Sequence, residues 1–167
     1  RILDRRGRVL AESRASLGIR CDLQSFQRRG AVSNTVGTES DNTAIMQTAF
    51  LRRNEGRHII TTAIEHEAVL KPMAFLESQG YEVTYLSVDE NGIIDLNELK
   101  DALRDDTILV SVMMGNNEVG SRQPIHEIGE IVSESNAWFH TDCVQAYGIL
   151  DVDVQKDKID LLSTSAH

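Results

Sequence analysis

From residue 37 onward, short apolar stretches alternate with stretches of helical periodicity, and this alternation constrains the fold more than any other feature. Residues 107–114 are the most apolar of the predicted strands, whereas residues 124–135 repeat isoleucine and valine at helical spacing. Strand and helix in alternation are typical of βαβ units, which form a mainly parallel sheet with right-handed crossovers. Because the strands are apolar along most of their length, we expect helices on both faces. The sequence therefore predicts an α/β fold.

Local signals predict where individual helices begin. A helix is expected over residues 42–53, where apolar residues recur near helical spacing. Pro72 is expected in the first turn of a helix that runs to Gln79. Asp95 with Glu98 predicts a capping box at the start of a further helix.

Charge and apolar content limit the partners of the chain. Its 167 residues carry a net charge of −9, with a pI of about 5.0, which argues against nucleic acid or an anionic membrane as a partner. The apolar runs are too short to span a bilayer, and the first residues show no signal-peptide pattern. The two cysteines, Cys21 and Cys143, form no disulfide framework and are typical of a reducing compartment. We therefore expect a cytoplasmic protein.

Residues 1–36 differ from the rest of the chain in charge. They contain eight arginines and no lysine against three acidic residues, a net charge of +5, whereas the remainder carries −14. A basic arm, a foreign leader and a misread coding stretch are all compatible with so sharp a change. The sequence predicts an atypical, poorly ordered segment over 1–36, followed by the α/β unit over 37–167.

The sharpest cluster of polar residues follows the predicted strand 137–140. His140 and Asp142 are two residues apart and are therefore expected on one side of the strand end, with Gln145 shortly after them. A second Ser/His cluster, residues 163–167, follows the last predicted strand. An aspartate can pair with a protonated ring nitrogen and a Ser/His cluster can bind a phosphate, which are two requirements of pyridoxal 5'-phosphate; the third is a lysine. Metal binding is the rival use of His140 and Asp142, but no third ligand has a recognisable spacing, which gives a zinc site little support, and none is predicted. Cys143 is expected to be buried and inert.

Three further segments at predicted strand ends or helix starts each allow two interpretations. Residues 37–42 offer a glycine and hydroxyls to a phosphate before a helix, but Thr38 or Ser40 also suits a plain helix cap. His66 could stack on a planar cofactor and move protons, or it could be an ordinary surface histidine. Asn116 and Asn117 could bind a phenolate or carboxylate, or form a turn.

Taken together, these segments resemble the cysteine desulfurases, pyridoxal-phosphate enzymes with the aspartate-aminotransferase fold (fold type I) in the class-V aminotransferase group. The resemblance covers residues 37–167 and is closest to the branch that serves nitrogen fixation and iron–sulfur assembly. Its motifs are Gly-Thr-Glu-Ser-Asp-Asn at 37–42, Glu-His-Glu-Ala-Val at 65–69, Asn-Asn-Glu-Val-Gly at 116–120, His-Thr-Asp-Cys-Val-Gln at 140–145 and Ser-Thr-Ser-Ala-His at 163–167.

The resemblance implies a role for each matching residue. It implies that His66 stacks on the cofactor ring and takes part in proton transfer, and that Asp142 pairs with the pyridine nitrogen. The remaining implied cofactor-binding residues are Gly37, Thr38, Ser165 and His167 at the phosphate and Asn117 and Gln145 near the phenolic oxygen. It also implies L-cysteine as substrate, L-alanine as product, a persulfide passed to a sulfur acceptor or iron–sulfur scaffold protein, and a homodimer.

Three departures from the family pattern lead us to expect that this chain is a fragment and is inactive on its own. The family's Schiff-base lysine directly follows the histidine that matches His167, the last residue here. The family's persulfide-forming cysteine and substrate-binding arginine lie farther downstream, and residues 1–36 do not follow the family pattern. Another class-V pyridoxal-phosphate enzyme, such as a selenocysteine lyase or an aminotransferase, and a non-catalytic truncated paralogue are the alternatives.

Overall fold

The computed structural model describes residues 2–3, 9–11, 31–34 and 37–164. The helices in these ranges are α1 Gly37–Arg52, α2 Glu67–Ser78, α3 Leu96–Ala102 and α4 Ile125–Ser133. The strands are β1 Ile2–Leu3, β2 Val9–Ala11, β3 Ala31–Asn34, β4 His58–Thr62, β5 Glu82–Leu86, β6 Thr107–Ser111, β7 Trp138–Asp142 and β8 Leu161–Thr164.

Six strands form one sheet in the order β3-β8-β7-β6-β4-β5, and every neighbouring pair is parallel. The α/β prediction with a mainly parallel sheet is therefore confirmed. The chain passes from β4 outward to β5 and then returns to the other side of β4 to form β6. Such a reversal of direction leaves a crevice beyond the carboxyl ends of β4 and β6, and open α/β sheets bind their ligands in such crevices.

Helices cover both faces of the sheet, as the apolar strands predict. On one face, α1 and α2 pack against the sheet through a cluster that includes Ile45, Met73 and Leu109. On the other face, α3 and α4 pack through a second cluster around Leu99, Ile128 and Phe139. Burying one such side chain stabilises the fold by about 1.5–3 kcal/mol, so the two clusters hold the strands in register and fix the positions of their carboxyl ends.

The start of α2 differs from the prediction. The helix begins at Glu67, and Pro72 lies inside it rather than in its first turn. The cap is His66, whose Nδ1 atom accepts a hydrogen bond from the amide of Ala68 at 3.1 Å. Histidine is not among the preferred capping residues, so capping preferences alone did not locate this start.

The start of α1 also differs from the prediction, whereas the start of α3 is as predicted but without the full capping box. α1 begins at Gly37 rather than Asn42, with Glu39 in its first turn, where a negative charge is favourable. At α3, Asp95 caps the helix by accepting from the amide of Asn97, as predicted. The Glu98 carboxylate, however, accepts from the amide and hydroxyl of Ser87 instead of completing the capping box.

The described part of residues 1–36 includes an edge strand of the main sheet. β3 pairs with β8 from Ala31 opposite Leu161 to Asn34 opposite Thr164, and β1 and β2 form a separate antiparallel pair. The domain boundary at residue 37 stays a prediction, and the expected poor order of the remaining residues of this segment lies outside the described residues. Across the ranges that the structure describes, no helix combines the length and apolar character needed to cross a membrane.

Candidate active site at the carboxyl edge of the sheet

A cavity of about 540 Å³ opens beyond the carboxyl ends of β4 and β6, where the strand order reverses. Its walls are residues 63–67, residues 116–119 and Leu70. These segments are the turn that follows β4 and the loop that comes after β6. Two of the segments predicted from the sequence, those of His66 and Asn117, therefore meet at one cavity.

His66 lies exposed on the cavity wall, and its ring is oriented by the helix it caps. Because Nδ1 accepts the Ala68 amide, the neutral ring carries its proton on Nε2. A ring held this way at the mouth of a cavity is available both to stack on a planar ligand and to exchange a proton.

The two asparagines of the loop after β6 have different environments. Asn116 is buried and forms the turn itself: its Oδ1 accepts from the amides of Glu118 and Val119 at 2.8 and 2.9 Å. Its Nδ2 donates to the carbonyl of Ile64 at 2.9 Å, which ties the two cavity walls together. Asn117 is exposed on the cavity wall. The turn reading therefore holds for Asn116, whereas the amide of Asn117 is accessible to a ligand.

Asp142 is the last residue of β7 and is only 6% exposed. Its Oδ1 accepts from the amide of Val144 at 2.8 Å. Burial raises the pKa of Asp142 above its ordinary value, while the Val144 amide and the nearby His66 lower it. A cationic partner would favour the ionised form of this carboxyl group, as a protonated ring nitrogen does.

A band of buried polar side chains lies behind Asp142, on the α1 face of the sheet. Nδ1 of His140 is 2.8 Å from the hydroxyl of Ser111, and Nε2 is 2.9 Å from the hydroxyl of Ser163. Burial lowers the pKa of His140 to about 3, so the ring is neutral. Burial and the charge of Asp142 raise the pKa of Asp41 on α1 to about 7, against a hydrogen bond from Ser163. His140 thus lies on the side of Asp142, as predicted; both side chains are buried, and neither is among the residues that line the cavity.

Cys143 is fully buried, with its Sγ 3.8 Å from Sδ of Met114. Burial raises the pKa of its thiol to about 12, and the charge of Asp142 acts in the same direction. The expectation of a buried, protonated thiol is confirmed.

The remaining predicted residues are placed as follows. Gln145 is exposed just after β7 and is not part of the cavity wall. Gly37 and Thr38 are the first two residues of α1, so their backbone lies at the helix start. Ser165 and His167 lie outside the described residues. Within the described ranges, no three His, Cys, Asp or Glu side chains converge as a metal site.

Sequence reasoning missed two residues, Asp41 and Glu65. Both are acidic yet at least nine-tenths buried, and both lie beside residues that were singled out. The available signal is their place within the segments 37–42 and 65–69, whose hydroxyls and histidine were predicted to be functional.

Comparison with known proteins identifies the group to which these features belong. The family model for class-V aminotransferases matches residues 32–167. The chain is 59% identical over 131 residues to the cysteine desulfurase IscS of Methanosarcina thermophila, covering 78% of this chain and 32% of that protein. It therefore spans about a third of the length of this curated relative.

Two solved structures share the fold. One, described as SspA in complex with cysteine, is 42% identical with a TM-score of 0.77, over 80% of this chain and 39% of that one. The other, a NifS-like protein, is 40% identical with a TM-score of 0.76, over 80% of this chain and 37% of that one. The parallel sheet is that of fold type I pyridoxal-phosphate proteins, and the family match runs from β3 to the last residue. By its sheet and these matches, the chain belongs to the class-V aminotransferase family.

Proposed function

We propose that this chain is the cofactor-binding part of a cysteine desulfurase that uses pyridoxal 5'-phosphate. The observation that carries the proposal is the position of Asp142, a buried carboxyl group at the end of β7 and close enough to His66 for the two to interact electrostatically. The similarity to proteins named as cysteine desulfurases supports the choice among class-V enzymes.

The residues present suit the cofactor. Asp142 has one oxygen held by the amide of Val144, and a cationic ring nitrogen would offset the cost of burying its charge. Gly37 and Thr38 are the first residues of α1, and the first amides of a helix suit a phosphate. His66 and Asn117 supply a ring and an amide on the cavity wall. Ser165 and His167 are proposed as further phosphate ligands and Gln145 as a partner of the phenolic oxygen.

When bound, the cofactor supplies an electron-accepting ring to bonds at the α-carbon of an amino acid. Three residues would each have a distinct task beside the cofactor. Asp142 holds the proton on the ring nitrogen, which requires the carboxylate form. His66 would cover one face of the ring, and it would give and afterwards take back the proton on Nε2, the ring nitrogen that its cap does not engage. Asn117 donates from its amide to an oxygen of the ligand.

The wider function follows the same proposal. L-Cysteine is the substrate and L-alanine the product, and sulfur leaves as a persulfide for a sulfur-acceptor or iron–sulfur scaffold protein. We propose a cytoplasmic protein that works as a homodimer. The chain's four lysines, Lys71, Lys100, Lys156 and Lys158, all lie in the described residues, and none lines the cavity. We therefore propose that the lysine that binds the cofactor follows His167 and that residues 1–167 alone are inactive.

The test compares Asp142→Asn with Asp151→Asn, the same substitution at an exposed position, in the complete gene product. Asp142→Asn should still bind pyridoxal phosphate, as seen by absorbance, but should release alanine from cysteine slower by several powers of ten. Each tenfold loss corresponds to about 1.4 kcal/mol of barrier. Asp151→Asn should behave as wild type. Turnover of Asp142→Asn close to wild type would contradict the proposal.

A further inference from the structure

The turn between β4 and α2 is attached to the end of β6 by a buried glutamate. Glu65 is 5% exposed, although Ala63 and His66 on either side of it are exposed. Its Oε1 accepts two hydrogen bonds, from the hydroxyl of Thr62 at 2.7 Å and from the amide of Met113 at 2.9 Å. One carboxyl oxygen therefore connects the turn to the segment that follows the neighbouring strand.

A second connection lies one residue earlier in the same turn. The carbonyl of Ile64 accepts from Nδ2 of Asn116 at 2.9 Å. The backbone on the N-terminal side of His66 is thus held at two successive residues by the chain that follows β6. On its other side, the imidazole itself is held by the amide of Ala68. These contacts leave little freedom to the position of the His66 ring on the cavity wall.

We propose that Glu65 is a positioning residue for His66: its buried carboxyl group clamps the β4–α2 turn to the end of β6 and so fixes the imidazole beside the cavity. The proposal rests on the proposed function in one respect, since it is the cofactor ring that His66 is positioned to cover. The clamp itself is a property of the chain with or without the cofactor.

The clamp works in its neutral form. Burial raises the pKa of Glu65 to about 8, and the charges of Asp142 on β7 and Asp41 on α1 raise it too, while the Met113 amide and the Thr62 hydroxyl lower it. The Oε2 atom is buried and has no hydrogen-bond partner among the described residues. A protonated carboxyl group leaves no unpaired negative charge in this interior, whereas an ionised one would. Oε1 accepts both hydrogen bonds in either form.

Two substitutions distinguish the effect of the hydrogen bonds that Glu65 accepts from the effect of the volume that its side chain fills. Glu65→Gln keeps a neutral group with a carbonyl oxygen in the place of Oε1, so both hydrogen bonds persist. Glu65→Leu has a similar size but no acceptor, which leaves the amide of Met113 and the hydroxyl of Thr62 unpaired. The exposed first residue of α2, Glu67, provides the control substitution Glu67→Gln.

The first measurement is amide hydrogen exchange by NMR on the complete gene product without cofactor. In Glu65→Leu, the amides of Met113 and Ala68 should exchange at least about tenfold faster, since losing a hydrogen bond worth roughly 1 kcal/mol or more has an effect of that size. The amide of Phe139 in β7, which donates to Asp160 just before β8, should not change. Glu65→Gln and Glu67→Gln should match wild type at all three amides.

The second measurement is the visible circular dichroism of bound pyridoxal phosphate, which depends on how the ring is held. Glu65→Gln should reproduce the wild-type band, and Glu65→Leu should alter it at saturating cofactor. Unchanged exchange at Ala68 in Glu65→Leu, equal acceleration at Phe139, or a Glu65→Gln protein as impaired as Glu65→Leu would each overturn the inference. Failure of the wild-type protein to bind the cofactor would instead count against the proposed function, because the exchange measurement does not depend on it.

Discussion

The Nε2 atom of His140 lies 3.5 Å from Oδ1 of Asp41, and both side chains are buried. The two residues come from different layers, since His140 is in β7 and Asp41 is in α1. The hydroxyl of Ser163 is 2.9 Å from the same Nε2 atom and lowers the pKa of Asp41, against the larger effect of burial. Because the imidazole is neutral, the contact is not an ion pair, and Asp41 has no full positive charge from His140 to offset its burial.

Asp41 should therefore make stability depend on pH. Its pKa rises from 3.8 to about 7 on folding, so between those values the unfolded chain loses a proton that the folded chain keeps. The free energy of unfolding then falls as pH rises, by up to about 1.4 kcal/mol per pH unit from this group. Asp41→Asn removes that contribution, while the opposing titration of His140 remains.

The measurement is urea unfolding of the complete gene product at a series of pH values. Relative to wild type, Asp41→Asn should gain stability steadily from pH 4 to pH 7 and no further above it. Asp105→Asn, an exposed control, should show no such trend. A difference between Asp41→Asn and wild type that is independent of pH would show that the carboxyl group is not buried in its protonated form.

Gly129 on α4 should not tolerate a side chain. A Cβ atom at this position would overlap the carbonyl of Asp157, in the connection before β8. Alanine normally stabilises a helix relative to glycine by about 1 kcal/mol, yet Gly129→Ala should lower the melting temperature by several degrees. Glu127→Ala, on the exposed side of the same helix, is the control and should change it little. A Gly129→Ala protein as stable as wild type would contradict the close packing of α4 on this connection.

Cys143 should not carry the sulfur. Its thiol is buried and its pKa is raised to about 12, whereas a nucleophilic cysteine needs an accessible thiolate. Cys143→Ala in the complete gene product should still form a persulfide when incubated with cysteine and pyridoxal phosphate. In the native wild-type protein, iodoacetamide should label Cys143 only after unfolding. Loss of the persulfide in Cys143→Ala with the cofactor still bound would refute this.

The cofactor should bind covalently to none of the four lysines present here. Lys71 pairs with Glu67 on the surface of α2, and Lys158 approaches Glu130 on α4. Borohydride reduction of the complete gene product with pyridoxal phosphate, followed by peptide mapping, should place the label on a lysine directly after His167. A stoichiometric label on Lys71, Lys100, Lys156 or Lys158 would contradict the proposed site.

The fold could be predicted because the residues that are apolar at strand or helix spacing are also the residues that are buried in the structure. Strands such as 107–111 are buried along their whole length and read as continuous apolar runs. The start of α2 was predicted less accurately. His66 acts as the cap of this helix, so Pro72 lies inside the helix rather than in its first turn. Propensity describes local preference, whereas this boundary is set by the turn that Glu65 and Asn116 hold in place.

Polar residues near the ends of parallel strands are expected to converge at one edge of the sheet, and this rule led to His66, Asn117 and Asp142. The structure brings His66 and Asn117 to one cavity wall and places Asp142 at the end of β7, and the roles of the three residues stay predictions. Asp41 and Glu65 were missed because an acidic side chain in sequence reads as a helix-start or surface residue. Their burial results from the packing of α1 and of the β4–α2 turn against the sheet, which no local pattern records.

The central claim is tested most directly by incubating the complete gene product with pyridoxal phosphate and L-cysteine and following alanine and protein-bound persulfide together. The account predicts that alanine and transferable sulfur appear in equal amounts when a thiol reductant is present. It also predicts that both are lost in Asp142→Asn, while Asp151→Asn retains them. Binding of the cofactor without any release of alanine from cysteine, or alanine release that is unaffected by Asp142→Asn, would contradict it.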